Sequence, residues 1–131
     1  MLLSLFLACA KVPPLPVGDG SLPACWSSPN CVSTQADPAD ATHYVAAVPA
    51  PAGLDTARLE VVVVQLPGCE VTDRGEGWVR SACHTPSGLF TDDLDVVLLE
   101  GQVHARSSSR LGYGDLGVNR ARVEALFAAL R

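Results

Sequence analysis

The chain has little positive charge: nine Lys and Arg against fourteen Asp and Glu in 131 residues, a formal net charge of −5. Nonspecific nucleic-acid binding, which rests on Lys and Arg neutralising phosphates, is a poor fit to that balance. No apolar run approaches the ~20 residues needed to span a bilayer, which excludes a retained transmembrane helix. The three histidines, His43, His84 and His104, stand in no recognised catalytic spacing. No Cys-x-x-Cys or His-x-x-His pair occurs, so a zinc site drawn from Cys25, Cys31, Cys83, His43 or His84 lacks the usual ligand spacing. Ser107, Ser108 and Ser109 lack a Gly-x-Ser-x-Gly elbow. Cys83 and His84 are adjacent, but neighbours on a strand point to opposite faces. A hydrolase is therefore the least favoured reading, and neither a metal nor a cofactor is implied. Internal repeats are also missing.

What is present is a chain long enough for one domain with a real core, 48% hydrophobic and so not disordered. Its charge is uneven. Residues 37–100 hold eleven acidic groups against three arginines, a balance of −8, whereas residues 104–131 hold five arginines against Asp115 and Glu124, a balance of +3.

Residues 1–8 are apolar apart from Ser4, and Cys9 follows Phe6-Leu7-Ala8. A small residue and then Cys after an apolar run resembles the lipobox of bacterial lipoproteins, in which the Cys becomes the acylated N-terminus. The match departs in having Phe6 where Leu is usual and in lacking a basic n-region. A start codon placed too far downstream accounts for both. Residues 1–8 are thus expected to be a leader and Cys9 a lipidation site, attaching the protein to a membrane. Residues 9–24, with Pro13, Pro14, Pro16, Gly18, Gly20 and Pro23, read as a tether, and residues 25–131 as a single folded domain.

With Cys9 acylated, four of the five cysteines remain. Cys25 and Cys31 bracket a short turn-forming loop that a disulfide could close. A hairpin turn centred on Glu76 sets Cys69 directly opposite Cys83, within disulfide reach. Two bridges fit an oxidising compartment.

The four valines of Val61–Val64 favour a strand, but Asp55 as N-cap, the early Glu60 and the Pro67-Gly68 stop favour a helix of about three turns. Cys69–Val71 and Gly77–Cys83 form one hairpin, Leu94–Leu99 and Gln102–Ser108 a second about a Glu100-Gly101 turn. That turn sets Asp95 opposite Arg106, Asp93 opposite Ser108 and Leu98 opposite Val103. Val123, Leu126, Phe127 and Leu130 recur at helical spacing behind Asn119 as N-cap. The expected fold is α+β: a four-stranded antiparallel sheet of two hairpins with two helices packed on one face.

The densest chemistry lies in residues 106–122, with Arg106, Ser107, Ser109, Arg110, Tyr113, Asp115, Asn119, Arg120 and Arg122 around three glycines. Arginines about a helix N-terminus suit a phosphate, carboxylate or sulfate, and Tyr113 could stack on a ligand. Against this stands a structural reading in which Asp115 and Asn119 cap the helix and the arginines pair with the acidic middle of the chain. A third is a protein–protein adaptor or structural accessory of the envelope, for which an exposed apolar patch on the uncovered sheet face would speak.

Two segments carry a resemblance. Cys25-Trp26-Ser27-Ser28-Pro29-Asn30-Cys31-Val32-Ser33-Thr34-Gln35 is similar to a Cys-Pro-x-Ser-Pro-Asn-Cys-Val-Ser-Ser-Gln signature. Residues 106–122 are similar to Arg-Ser-x-Ser-Arg-x-Gly-Tyr-x-Asp-x-Gly-x-Asn-Arg-x-Arg, and Asp92-Asp93 lies between the two. In this order they resemble the domain-of-unknown-function family 1499 over residues 25–131, with Trp26 where Pro is usual and a shortened region before the second hairpin. The resemblance implies a bacterial cell-envelope protein, lipid-anchored and facing the periplasm or exterior, with relatives in photosynthetic organelles and no established activity. The expected function is a non-catalytic envelope domain whose segment 106–122 binds a small anionic or polar ligand.

Overall fold

The computed structural model describes residues 10–131; the leader expected at 1–8 and the acylation expected at Cys9 lie outside them. Among the described residues the chain runs β1 (Cys31–Ser33), β2 (Val48–Pro49), α1 (Thr56–Val64), β3 (Cys69–Gly75), β4 (Trp78–His84), β5 (Thr91–Leu99), β6 (Gln102–Ser109) and α2 (Val118–Ala129). All six strands join one antiparallel sheet in the order β1-β6-β5-β4-β3, with β2 also on β6. The α+β class and the two helices hold, but the sheet has six strands rather than four. β1 and β2 are three and two residues long, too short for alternation to register in the sequence.

The second hairpin has the expected register. Glu100 and Gly101 both take positive φ, 52° and 76°, the mirror-image turn whose twist suits two antiparallel strands. Asp95 lies opposite Arg106, Asp93 opposite Ser108 and Leu98 opposite Val103. In the first hairpin Cys69 does face Cys83, for a reason the sequence reading missed. The turn is Glu76-Gly77, and a bulge between Val71 and Asp73 shifts the register by one residue before it reaches the cysteines. Both disulfides are formed, Cys25–Cys31 and Cys69–Cys83, with Cα atoms 5.6 and 3.9 Å apart.

Strand alternation sorts the sheet into two unlike faces. One carries Val79, Leu94, Val96, Val103 and Ala105, which pack under Leu59 and Val63 of α1 and Val123, Leu126 and Phe127 of α2. Both helices therefore lie on one face, as expected. Asp55 caps α1, its carboxylate accepting from the Arg58 N–H at 2.9 Å. Between α1 and β3, Gly68 has φ +74° and sits so near the His84 carbonyl that a Cβ there would collide with it.

The other face carries Arg80, Asp93, Asp95, Arg106 and Ser108, all buried. Their cover is the Pro/Gly-rich segment read as a tether. Arg80 donates to the carbonyls of Pro13 and Pro14 at 2.7 and 2.9 Å, and Arg106 to that of Ala24 at 3.2 Å. Gly20 packs against Val97 and Leu99, and Leu22 is buried. Residues 11–24 are thus a strap on the sheet. Prolines cannot donate to a ladder, but their carbonyls still accept, and the buried arginines need acceptors.

Candidate functional site

The segment 106–122 leaves β6, crosses the end of the sheet and enters α2, and its polar residues divide into separate groups. Arg106 is fully buried on the strap face. Although Asp95 lies opposite, that carboxylate takes the fork of Arg80 from β4, at 2.6 and 2.7 Å. Arg106 donates instead to Ser108 Oγ at 2.7 Å, and Trp26 stacks on its guanidinium at 4.7 Å. Its Nε has no partner. Burial pulls its pKa down to about 10, so the charge persists at neutral pH. The cross-strand pair expected between Asp95 and Arg106 is therefore a matter of register and not of contact.

Asn119 centres the second group. It is not the N-cap of α2 but lies fully buried in the first turn; Gly117, in the left-handed region at φ 80°, holds the cap position. Asn119 Oδ1 accepts from Ser107 Oγ at 2.7 Å and from Arg122 Nη1 at 3.1 Å. Its Nδ2 donates to Ser109 Oγ at 2.9 Å, Asp115 Oδ2 at 2.7 Å and the Asn30 carbonyl at 3.3 Å. Asp115 takes over the capping, accepting from the Gly117 and Asn119 N–H groups. Burial pushes its carboxyl upward, but the hydrogen bonds from Asn119 and Gly117 outweigh that and hold it below the ordinary carboxylate value.

The remaining arginines are engaged as well. Arg110 forks onto Asp93 at 2.9 and 3.0 Å, Arg122 pairs with Asp92 at 2.8 Å, and Arg120 donates to the carbonyls of Ala41, Thr42 and Tyr44. Tyr113 points outward, 73% exposed. The structure thus brings together Ser107, Ser109, Asp115, Asn119 and Arg122, and sends Arg106, Arg110 and Arg120 to three other places. Each guanidinium serves the fold.

Over this hub opens a cleft of about 340 Å³, between the 85–90 loop and the 110–118 loop. Thr85, Thr91, Asp92, Ser109 and Asp115 supply its polar lining, and Phe90, Leu111, Leu116 and Val118 its apolar lining. The apolar side chains were not among the expected site residues. Leu89, Phe90, Leu111, Tyr113, Leu116 and Val118 are six of the eleven exposed large hydrophobic side chains among the described residues. Leu116 is fully exposed and held at φ 55°, a conformation costing an L-residue roughly 1–2 kcal/mol. The available signal was Leu or Phe beside Gly in turn sequence, Gly88-Leu89-Phe90 and Leu111-Gly112, where a loop has no core to fill.

A larger hollow of about 590 Å³ lies between residues 21–27 and 33–43 and ends at His43. There His43 Nδ1 meets Asp40 at 2.7 Å, and Nε2 meets the Ser28 carbonyl at 2.9 Å. An oriented Asp–His pair is half of a hydrolytic triad, but the far nitrogen faces a carbonyl and not a hydroxyl. His84 bonds Thr91 and Glu70, and His104 bonds Thr34. His84 thus links the Glu70 carboxylate, at 3.3 Å, to the hydroxyl of Thr91, at 3.1 Å, at an exposed position beside the cleft, whereas His104 meets the Thr34 hydroxyl with no carboxylate among the described residues on its other nitrogen.

Residues 21–130 match the family described as protein of unknown function (DUF1499). The chain belongs to the DUF1499 family. Its match covers every strand and both helices of the described residues and begins at Ser21, so strap residues 11–20 lie ahead of it. Curated proteins and solved structures give no match.

Proposed function

We propose that this DUF1499 protein is a non-catalytic binding module of the bacterial cell envelope, held at a membrane through its N-terminus. Its recognition site is the cleft between the 85–90 and 110–118 loops. The two disulfides and the lipobox-like Phe6-Leu7-Ala8-Cys9 support the placement. The ligand class is a small amphiphile with an apolar body and a hydroxyl- or amine-bearing head. A single observation carries this: Leu116, which has no packing role in the fold, is held fully exposed in a strained conformation at the cleft mouth. Asp115 and the Ser109 hydroxyl at the floor favour a head that donates hydrogen bonds. An anion is less well served, because all four arginines of the segment are engaged within the fold. An adaptor using the second sheet face is disfavoured too, since the strap covers that face.

Octyl glucoside, held below its micelle concentration, tests the reading with amide chemical shifts of the ¹⁵N-labelled full chain. The expected shifts cluster at Thr91, Ser109, Gly112 and Gly114, and weaken strongly in Leu116→Asp. Scattered shifts, or a map indifferent to Leu116→Asp, would refute the cleft as the site.

A further inference from the structure

Where the chain enters the domain decides how close the domain stands to its anchor. The Lys11 N–H donates to the Arg110 carbonyl at 2.8 Å, and the Arg110 N–H donates to the Thr91 carbonyl at 3.2 Å. Among the described residues, the first docked residue of the strap therefore sits at the cleft end of the sheet, beside the residues that precede Leu111 and follow Phe90. Only Ala10 separates Lys11 from Cys9. Two residues reach at most about 7 Å, so an anchor at Cys9, or the apolar residues before it, leaves the domain no room to stand off. From Lys11 the strap runs away from that end: Pro16 and Gly18 reach the hollow lined by Glu76, Gly77 and Leu99 at the opposite end of the strands. The nine residues of β5 put that far end roughly 25 Å from the cleft.

The chain's entry and the exposed apolar rim thus fall on the same end of the molecule. We propose that this end is a membrane-docking face: Leu89, Phe90, Leu111, Tyr113, Leu116 and Val118 enter the interfacial layer of the lipid bilayer that holds the N-terminus, and the cleft opens onto that bilayer. The proposal rests on the envelope placement above and names the medium from which the cleft draws its amphiphile. Leu, Phe and Tyr on short loops suit this layer, where apolar side chains sink roughly 5–10 Å to the boundary between headgroups and acyl chains. The short link does what a second membrane signal does elsewhere, fixing orientation as well as attachment.

The test uses the full-length protein reconstituted into phosphatidylcholine vesicles with or without phosphatidylcholine brominated near the top of the acyl chain. Leu116→Trp and Val17→Trp place a reporter at the cleft end and the far end, both at exposed positions, and emission is read as the difference from the parent, which retains Trp26 and Trp78. Docking predicts that the Trp at 116 shifts to the blue and is quenched at least about twofold by the brominated lipid, while the Trp at 17 is unaffected. Vesicle-bound protein in which the two reporters respond alike overturns the proposal, as does protein that stays in the supernatant. So does a blue shift at 116 that needs no vesicles and grows with protein concentration, which would assign the face to a second copy of the chain. The octyl glucoside titration contains no bilayer, so its success beside a failed vesicle test removes the docking face and leaves the cleft.

Discussion

Removing the side chain of Asn119 is the sharpest test of whether the polar run 106–122 is structural glue. Its amide makes two contacts through Oδ1 and three through Nδ2, and the residue is fully buried. Asn119→Ala does not strand all five partners equally. The Asn30 carbonyl keeps the Ser109 N–H, and Asp115 keeps two backbone donors. Ser109 and Asp115 line the cleft, where water can replace the lost bonds. Ser107 is different: it is fully buried and loses the acceptor for its hydroxyl proton. One buried group left unsatisfied costs about 1–3 kcal/mol, and the exchange of the other bonds for water adds roughly 1 kcal/mol.

The expected loss is therefore about 3 kcal/mol, read as a lower midpoint in urea with an unchanged slope. For a chain of this size that is a fall of roughly 10 °C in Tm. Both disulfides must stay oxidised throughout. Asn119→Ser, which retains a hydroxyl but cannot bridge Ser107 and Asp115, should fall close to the Ala variant. A loss below about 0.5 kcal/mol, the size of an ordinary surface substitution, would refute the reasoning and mean that the hub is wet and replaceable.

Two further predictions follow. His43 is raised by the Ser28 carbonyl and the Asp40 carboxylate, so its contribution to stability is full below the unfolded value near 6.5 and fades as pH rises through the higher folded value; Asp40, lowered by His43, gives support that is lost instead as the medium turns strongly acid. His43→Gln should therefore cost most near pH 5–6 and progressively less toward pH 8 in paired urea titrations, and a cost independent of pH would remove the ion pair from the account. Replacing Cys69 and Cys83 together by Ala opens a loop with a sequence separation of 14 and should cost about 3 kcal/mol, checked by the urea midpoint against the oxidised parent. Equal midpoints would show that the β3–β4 pairing holds its ends without the bridge.

The Glu100-Gly101 turn and the Asp55 cap were legible in the sequence; the Glu76-Gly77 turn, the cap of α2 and the choice of partners were not. Glu100-Gly101 dictated the register of its hairpin, because few residue pairs accept two positive φ angles in succession. Asp55 announced α1, and the spacing of Val123, Leu126, Phe127 and Leu130 announced the buried stripe of α2. The register also put Asp95 opposite Arg106, yet Asp95 chose Arg80, since β5 has a neighbour on each side and the sequence does not say which will offer the better fork. Asn119 looked like a cap for the same local reason that it is not one. A short amide bonds nearby backbone or distant side chains with equal ease, and only the fold brings Ser107 and Ser109 within its reach. The strap was hidden by its composition: proline and glycine mark a segment outside any ladder, but a carbonyl's suitability for a buried guanidinium leaves no local trace.

The three aspartates of β5 explain how a loop can hold apolar side chains outward without collapsing over them. Alternation sends Asp93 and Asp95 to the strap face and Asp92 to the helix face. Asp92 takes Arg122 and so fixes α2; Asp93 takes Arg110 and fixes the start of the 110–118 loop; Asp95 takes Arg80, whose remaining donors hold Pro13 and Pro14 of the strap. One strand therefore anchors both ends of the loop that carries Leu116, and also the chain that enters beside it. An apolar loop left to itself folds back on its own surface, since burial favours any contact that removes it from water. Here the loop ends are pinned to buried carboxylates, and Leu116 is left to be covered only by something outside the domain.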